Sequence, residues 1–164
     1  MIWNRQNPYL AEVISRKLLS GNDSNKEVIH FQIALGDSKI KYEPGDSLGV
    51  IPLNNKRLVK DIIDRLGFSP LKVVESYNQT IFQLLESRFE ILTPTNRLIS
   101  YISKKIVHKE LNELIENEDK NLLSQFKYGK DVLDFLNLDS NLKIDLNIFL
   151  SLLKPLQHRA YSIS

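Results

Sequence analysis

Apolar and polar residues follow two different periods along this chain, and the first is the two-residue period of a β-strand. Between residues 29 and 35, apolar side chains alternate with polar or small ones, which predicts a half-buried strand. Residues 10–15 are its expected partner. Turn-forming residues separate the apolar runs at 20–25, 36–38 and 43–46. This rhythm predicts an antiparallel meander, followed by a buried strand at 48–53 that leaves the sheet near Pro52.

After residue 54 the apolar residues recur at three- and four-residue intervals, which is the period of an amphipathic helix. Residues 58–66 form the clearest such pattern, with Asn54 or Asn55 as the N-cap and Gly67 just past the end. Further helices are predicted at 81–87, 96–106, 109–117, 118–126, 131–136 and 146–153, the last capped by Asp145 and followed by Pro155. Strand character returns at 160–164.

The order of these elements predicts an α+β fold, in which a β region precedes a long helical stretch and one further strand. The final strand has no turn or cap after it. We therefore expect the chain to be a fragment that ends within a sheet.

Composition narrows the possible classes of protein. The chain has 164 residues, of which 42% are hydrophobic and 26% charged, as in an ordinary globular domain. Its formal net charge of +2 makes nucleic acid an unfavoured partner, and its apolar runs are far shorter than the roughly 18 residues that span a membrane. Cysteine is absent, and no secretory signal is recognisable, so we expect a cytoplasmic location.

One motif suggests a hydrolase but has the wrong context. Residues 45–49 satisfy the Gly-x-Ser-x-Gly pattern of a nucleophile elbow, which requires a strand before the serine and a helix after it. Here turn residues precede Ser47 and a predicted strand follows it. The late histidine, His158, also has Pro155 where an Asp-x-x-His motif requires aspartate. A GDSL-like serine hydrolase is therefore kept only as a weak alternative.

Other common sites lack their sequence signals. His30, His108 and His158 are widely spaced, so no zinc site is predicted. The six glycines form neither a Rossmann fingerprint nor a P-loop. Any dinucleotide must be held in another way.

The C-terminal residues carry the most specific chemistry. On a strand, Arg159 and Tyr161 share one face at a separation of roughly 7 Å. A guanidinium offers a planar fork of donors to a pyrophosphate, a phenol ring stacks on a flat heterocycle, and Ser162 adds a hydroxyl donor next to them. Taken alone, such a short pattern occurs mostly as ordinary strand residues.

Three blocks together resemble the FAD-binding domain of the diflavin reductases, the group that contains NADPH–cytochrome P450 reductase and the sulfite reductase flavoprotein subunit. The blocks are residues 42–54, 88–91 and 159–164. The similarity is greatest to the sulfite reductase type. It implies an incomplete antiparallel flavin-binding β-barrel of the ferredoxin-reductase type at 1–53 and 155–164, interrupted by a helical connecting domain at 54–154.

The resemblance also implies roles for single residues. Arg159 would contact the FAD pyrophosphate, Tyr161 would pack against the isoalloxazine, and Ser162 would lie near the flavin atom that accepts hydride. His158 departs from the pattern, because proline is common at that position. The family's later glycine-containing pyrophosphate loop would lie beyond Ser164.

The activity implied for the intact parent is an NADPH-dependent FAD oxidoreductase that passes electrons through FMN to an acceptor such as sulfite reductase haemoprotein. Its partners would be an FMN-binding flavodoxin-like domain and an NADP-binding domain. The fragment alone is expected to be inactive and to lack stoichiometric flavin. The main alternative is a non-enzymatic docking or spacer module.

Overall fold

The computed structural model describes residues 3–4, 7–117 and 119–163, and these form two compact units. One contains the described residues of Met1–Ile51 and His158–Ser164, and the other is Pro52–Gln157. The predicted domain boundaries, 1–53 with 155–164 against 54–154, stay a prediction. Of the residues assigned to elements by sequence, Glu118 and Ser164 lie outside the described part, as do Met1, Ile2, Arg5 and Gln6 of the predicted barrel.

The first unit begins with a β-hairpin. Strand β1 (Glu12–Leu18) pairs antiparallel with β2 (Ile29–Ala34), and the register runs from Glu12 opposite Ala34 to Leu18 opposite Ile29. The first strand ends three residues later than predicted, because a hydrogen bond from Leu19 N to Val28 O (2.7 Å) carries the pairing toward the turn.

The third strand has a different partner from the one predicted. Strand β3 (Ser47–Val50) pairs antiparallel with the C-terminal strand, and neither is hydrogen-bonded to the β1–β2 hairpin. The meander prediction is therefore wrong beyond the first hairpin. The predicted buried strand at 48–53 ends at Val50, because Pro52 has no N–H to extend the ladder. Its side chains are half-buried or exposed.

The second unit is mainly helical. Its helices are α1 (Lys56–Leu66), α2 (Ile81–Ser87), α3 (Asn96–Ser103), α4 (Lys109–Glu116), α5 (Lys120–Lys127), α6 (Val132–Leu136) and α7 (Leu146–Leu152). Every predicted helix is present within a few residues. The short strands β4 (Val73–Val74) and β5 (Gln79–Thr80), joined by a 3₁₀ turn, were not predicted, because two-residue strands carry no period to detect.

Two helices show why the observed end of a helix can differ from the end predicted from sequence. Asn55 caps α1, its side-chain oxygen accepting from Arg57 N (2.8 Å) and Leu58 N (3.3 Å), so Asn54 is not the cap. Helix α3 stops before the predicted 106, because its chain turns after Ser103. Ile106 is buried by that turn and so keeps the apolar period without being helical.

Burial is very unequal between the units. Every apolar side chain that is buried among the described residues belongs to Pro52–Gln157. In the first unit the only buried residue described is Ser38, while apolar side chains on β1 and β2 such as Ile14 and Phe31 are more than half exposed. The second unit therefore has its own hydrophobic core.

Both ends of the second unit attach to the end of α2. The buried Asn54 donates from Nδ2 to Leu85 O and Phe89 O (2.7 Å each). Where the chain leaves the unit, Leu156 N donates to Arg88 O (2.8 Å), next to an antiparallel β-bridge between Phe89 and Pro155. The chain therefore enters and leaves this unit at one place. This arrangement allows strands more than a hundred residues apart in sequence to pair.

We expect Asn54→Ala to lower the free energy of unfolding of the helical unit by about 2 kcal/mol, because two buried carbonyls lose their donor. Urea unfolding followed by helical circular dichroism measures the effect. The matched control is Asn141→Ala, an exposed site that should change stability by less than about 0.5 kcal/mol. Equal effects at both positions would contradict the role given to Asn54.

Candidate functional site

The candidate site lies on the two-stranded sheet formed by β3 and β6 (Arg159–Ser162). Its register places Leu48 opposite Tyr161 and Val50 opposite Arg159. Hydrogen bonds from Gly45 N to Ile163 O and from Ile163 N to Asp46 O, both 2.8 Å, extend the ladder beyond β3. Two of the sequence blocks that carry the resemblance are thus brought together by backbone pairing.

Arg159 and Tyr161 lie on the same face of this sheet. Residues two apart on a strand, and residues directly opposite each other, share a face, so the half-buried Leu48 and Val50 accompany them. Arg159 is exposed, and Tyr161 is 54% exposed. The structure therefore brings a guanidinium and a phenol ring together on one accessible face, where they can contact a ligand that combines anionic and flat aromatic groups.

Ser162 lies on the opposite face. It pairs with Ser47, and its neighbours on that face are Ala160 and Gly49. The ring of His158 also lies here, since a Cβ added at Gly49 would be 3.3 Å from Cδ2 of His158. Of the three residues that the sequence singled out, the sheet groups Arg159 with Tyr161 and separates Ser162 from both.

A tight turn determines where β3 begins. Asp46 N donates to Glu43 O (3.0 Å), and the carboxylate of Asp46 accepts from Glu43 N (2.8 Å). Gly45 has a φ of 98°, which residues with a side chain rarely adopt, and Pro44 precedes it as in a type II turn. Ser47 follows this turn as the first strand residue. It therefore lacks the strand-to-helix setting of a nucleophile elbow.

The histidines have separate places in the structure. His30 lies on β2, and His158 precedes β6. His108 is the N-cap of α4, its Nδ1 accepting from Leu111 N at 3.2 Å. No group of three potential metal ligands occurs in the part of the chain that the structure describes.

Sequence reasoning missed the contribution of Asn54 and of the Arg88–Glu90 segment. These residues lie outside the paired strands β3 and β6. They hold the two ends of the helical unit together, through Asn54 on one side and through Glu90 N donating to Lys154 O (2.9 Å) on the other. Both lie within the sequence blocks that carry the family resemblance, and this was the one feature of the sequence that could have indicated their structural role.

None of the described helices has the length and apolar character needed to cross a membrane.

Comparison with known proteins agrees with the resemblance. The FAD binding domain family matches residues 3–164. Similar proteins include the sulfite reductase [NADPH] flavoprotein alpha-components of Vibrio parahaemolyticus (32% identical), Bacillus subtilis (31%) and Shewanella oneidensis (35%). Each alignment covers 99% of this chain but only 26% or 27% of the relative. The chain thus spans about a quarter of the length of these relatives, and it belongs to the FAD binding domain family.

Proposed function

We propose that this chain contributes one side of the FAD site of an NADPH-dependent flavoprotein reductase of the diflavin type. The observation that carries the proposal is the placement of Arg159 and Tyr161 on one exposed face of the β3–β6 sheet. The donor set fits the cofactor, because a guanidinium matches a pyrophosphate and a phenol ring matches a flat heterocycle. FAD, when bound, supplies the chemistry of accepting hydride and releasing electrons singly.

Each residue has a distinct role in this proposal. Arg159 binds the pyrophosphate through its planar fork of N–H donors, and Tyr161 packs against the isoalloxazine and excludes water from that side. Ser162 is assigned to the neighbourhood of the hydride-accepting atom by the family resemblance alone. Its position on the opposite face of the sheet separates it from the face proposed to bind FAD, so we expect Ser162 to contribute little to flavin affinity.

We further propose that β1, β2, β3 and β6 belong to an antiparallel flavin-binding barrel, which a connecting domain at 54–154 interrupts. The exposed apolar side chains on β1 and β2 support this, since a barrel interior would cover one face of each strand. The separate core of the helical unit supports its role as an insert.

For the whole protein, we propose that electrons pass from NADPH to FAD, then through an FMN-binding flavodoxin-like domain to an acceptor such as sulfite reductase haemoprotein. An NADP-binding domain would hold the NADPH that delivers the hydride. The cytoplasm is the proposed location. The names of the relatives support this route, because each is an NADPH sulfite reductase flavoprotein component.

The amount of bound flavin tests the proposal. We expect the 164-residue chain to purify with much less than one FAD per chain, and a longer polypeptide that contains this chain and has the length of its relatives to bind one FAD per chain. Flavin absorbance after purification gives the ratio. Trp3, the only tryptophan, belongs to the first unit and provides a second signal through its fluorescence quenching by FAD. A folded longer polypeptide that binds no FAD would exclude the proposed function.

A further inference from the structure

The helical unit contains a groove that the proposed flavin site does not use. It has a volume of about 490 Å³ and lies between the segment before α3 and the segment that joins α5 to α6. Residues 92–94, Ser124 and residues 127–131 line it. We call it the Lys127 groove.

Two lysines line this groove without a carboxylate partner. Lys127 Nζ donates to Asn96 Oδ1 at 2.9 Å, and Lys130 Nζ donates to Phe126 O at 2.7 Å. Lys130 Nζ also lies 3.5 Å from the centre of the Phe126 ring. Neither lysine forms an ion pair with another residue of the described ranges. Each ammonium group has three donors, so both retain capacity to bind an anion.

The acidic residue of the groove is already engaged. Asp131 Oδ1 accepts from Leu133 N (2.7 Å) and Asp134 N (3.2 Å), because Asp131 is the N-cap of α6. This carboxylate stabilises the helix end, and its negative charge is partly satisfied there. The two lysines outnumber the one carboxylate that lines the groove, so the lining has a net positive charge that favours an anionic ligand.

A third cation adds to this charge. Burial, and secondly the positive charge of Lys154, lower the pKa of Lys127. Lys154 is itself exposed and forms no ion pair with another described residue. A carboxylate bound near Lys127 would be attracted by both ammonium groups and would favour the charged form of Lys127.

Apolar side chains border the same groove. Tyr128 is 90% exposed and Leu92 is 54% exposed. Other large apolar side chains of this unit are buried in its core. Tyrosine is enriched in protein–protein interfaces, so the exposed ring of Tyr128 favours a protein partner for this groove.

We propose that the Lys127 groove docks an acidic segment of a partner protein. Carboxylates of that segment pair with Lys127 and Lys130, and an apolar side chain between them packs against Tyr128 and Leu92. Charge complementarity selects the partner, since the groove offers cations whose carboxylate partners are absent from the described residues. This inference does not depend on flavin binding.

Binding of a synthetic peptide tests the docking surface. The probe is a short fluorescein-labelled peptide of glutamates that contains one leucine and one phenylalanine, and anisotropy measures its affinity for the full chain. We expect saturable binding that weakens as salt is raised. Lys127→Glu should weaken it about tenfold or more. Tyr128→Ser should weaken it severalfold without loss of helical circular dichroism, because this side chain is almost fully exposed.

Matched controls separate a specific groove from general attraction. Lys143→Glu makes the same change of charge at an exposed site outside the groove and should leave the affinity within about twofold. A peptide with glutamine in place of glutamate should bind at least tenfold more weakly. The proposal is overturned if the wild-type chain does not bind the acidic peptide, if the glutamine peptide binds equally well, or if Lys143→Glu weakens binding as much as Lys127→Glu.

Discussion

Replacing both Arg159 and Tyr161 with alanine should weaken FAD binding by the longer flavoprotein at least a hundredfold. That factor corresponds to about 2.7 kcal/mol. Charge-assisted hydrogen bonds to a pyrophosphate contribute roughly 1.5–3 kcal/mol, and an aromatic stacking contact about 1 kcal/mol more. Each single replacement should therefore weaken binding about tenfold. Titration of the flavin-free protein with FAD, followed by flavin fluorescence, measures these affinities.

Variants of similar chemistry define the specificity of this result. Arg97→Ala and Tyr42→Ala remove the same kinds of side chain at exposed positions outside the β3–β6 pairing and should leave the affinity within about threefold. Ser162→Ala should also stay within about threefold, because Ser162 lies on the other face of the sheet. If Arg159→Ala and Tyr161→Ala were as mild as these controls, the assignment of that face to FAD would be wrong.

Arg65→Ala should lower the free energy of unfolding of the helical unit by about 3 kcal/mol. The guanidinium of Arg65, in the last turn of α1, donates to Leu136 O and Asp139 O at 2.6 Å each. It also donates to Leu142 O (3.3 Å) and to Asn137 Oδ1 (3.1 Å). One side chain thus holds the loop between α6 and α7, and its removal leaves several carbonyls without donors. Urea unfolding followed by helical circular dichroism gives the loss.

Two further variants separate geometry from charge. Arg65→Lys keeps the charge but has three donors on one nitrogen, so it should recover less than half of the loss. Arg57→Ala removes an exposed arginine from the same helix, where its ion pair with Asp61 is 3.9 Å long, and should cost less than about 0.5 kcal/mol. A lysine that restored full stability would show that charge, not the planar fork, stabilises the loop.

Local features of the sequence predicted local features of the fold. Helix α1 begins after Asn55 and ends before Gly67, as their cap chemistry predicts. A side-chain oxygen at the first turn and a left-handed residue after the last turn influence only a few neighbouring residues. Asp145 caps α7 for the same reason. The α+β class with antiparallel pairing is confirmed, although the described strands form three two-stranded sheets and no closed barrel.

Predictions that depended on distant partners were less successful. The turn at Glu43–Asp46 was correctly placed, yet the strand after it pairs with β6 and not with the preceding hairpin. Strand pairing is decided by which backbone edges meet in three dimensions, and a two-residue period carries no information about that choice. Asn54 illustrates the same limit. Its amide looks like a helix cap in sequence, but it is buried and bound to carbonyls more than thirty residues away.

The sequence by itself determined the helical and strand periods, the positions of caps and turns, and the residue types that suit a flavin nucleotide. It also placed Arg159 and Tyr161 on a common face, because alternation along a strand is a property of the backbone. The same alternation puts Ser162 on the other face. Only the tertiary structure decided that the first face includes Leu48 and Val50, and that one end of α2 holds both ends of the helical unit. The physical reason is that hydrogen bonds between distant segments depend on the packing of the whole chain, whereas periodicity and capping act over a few neighbouring residues.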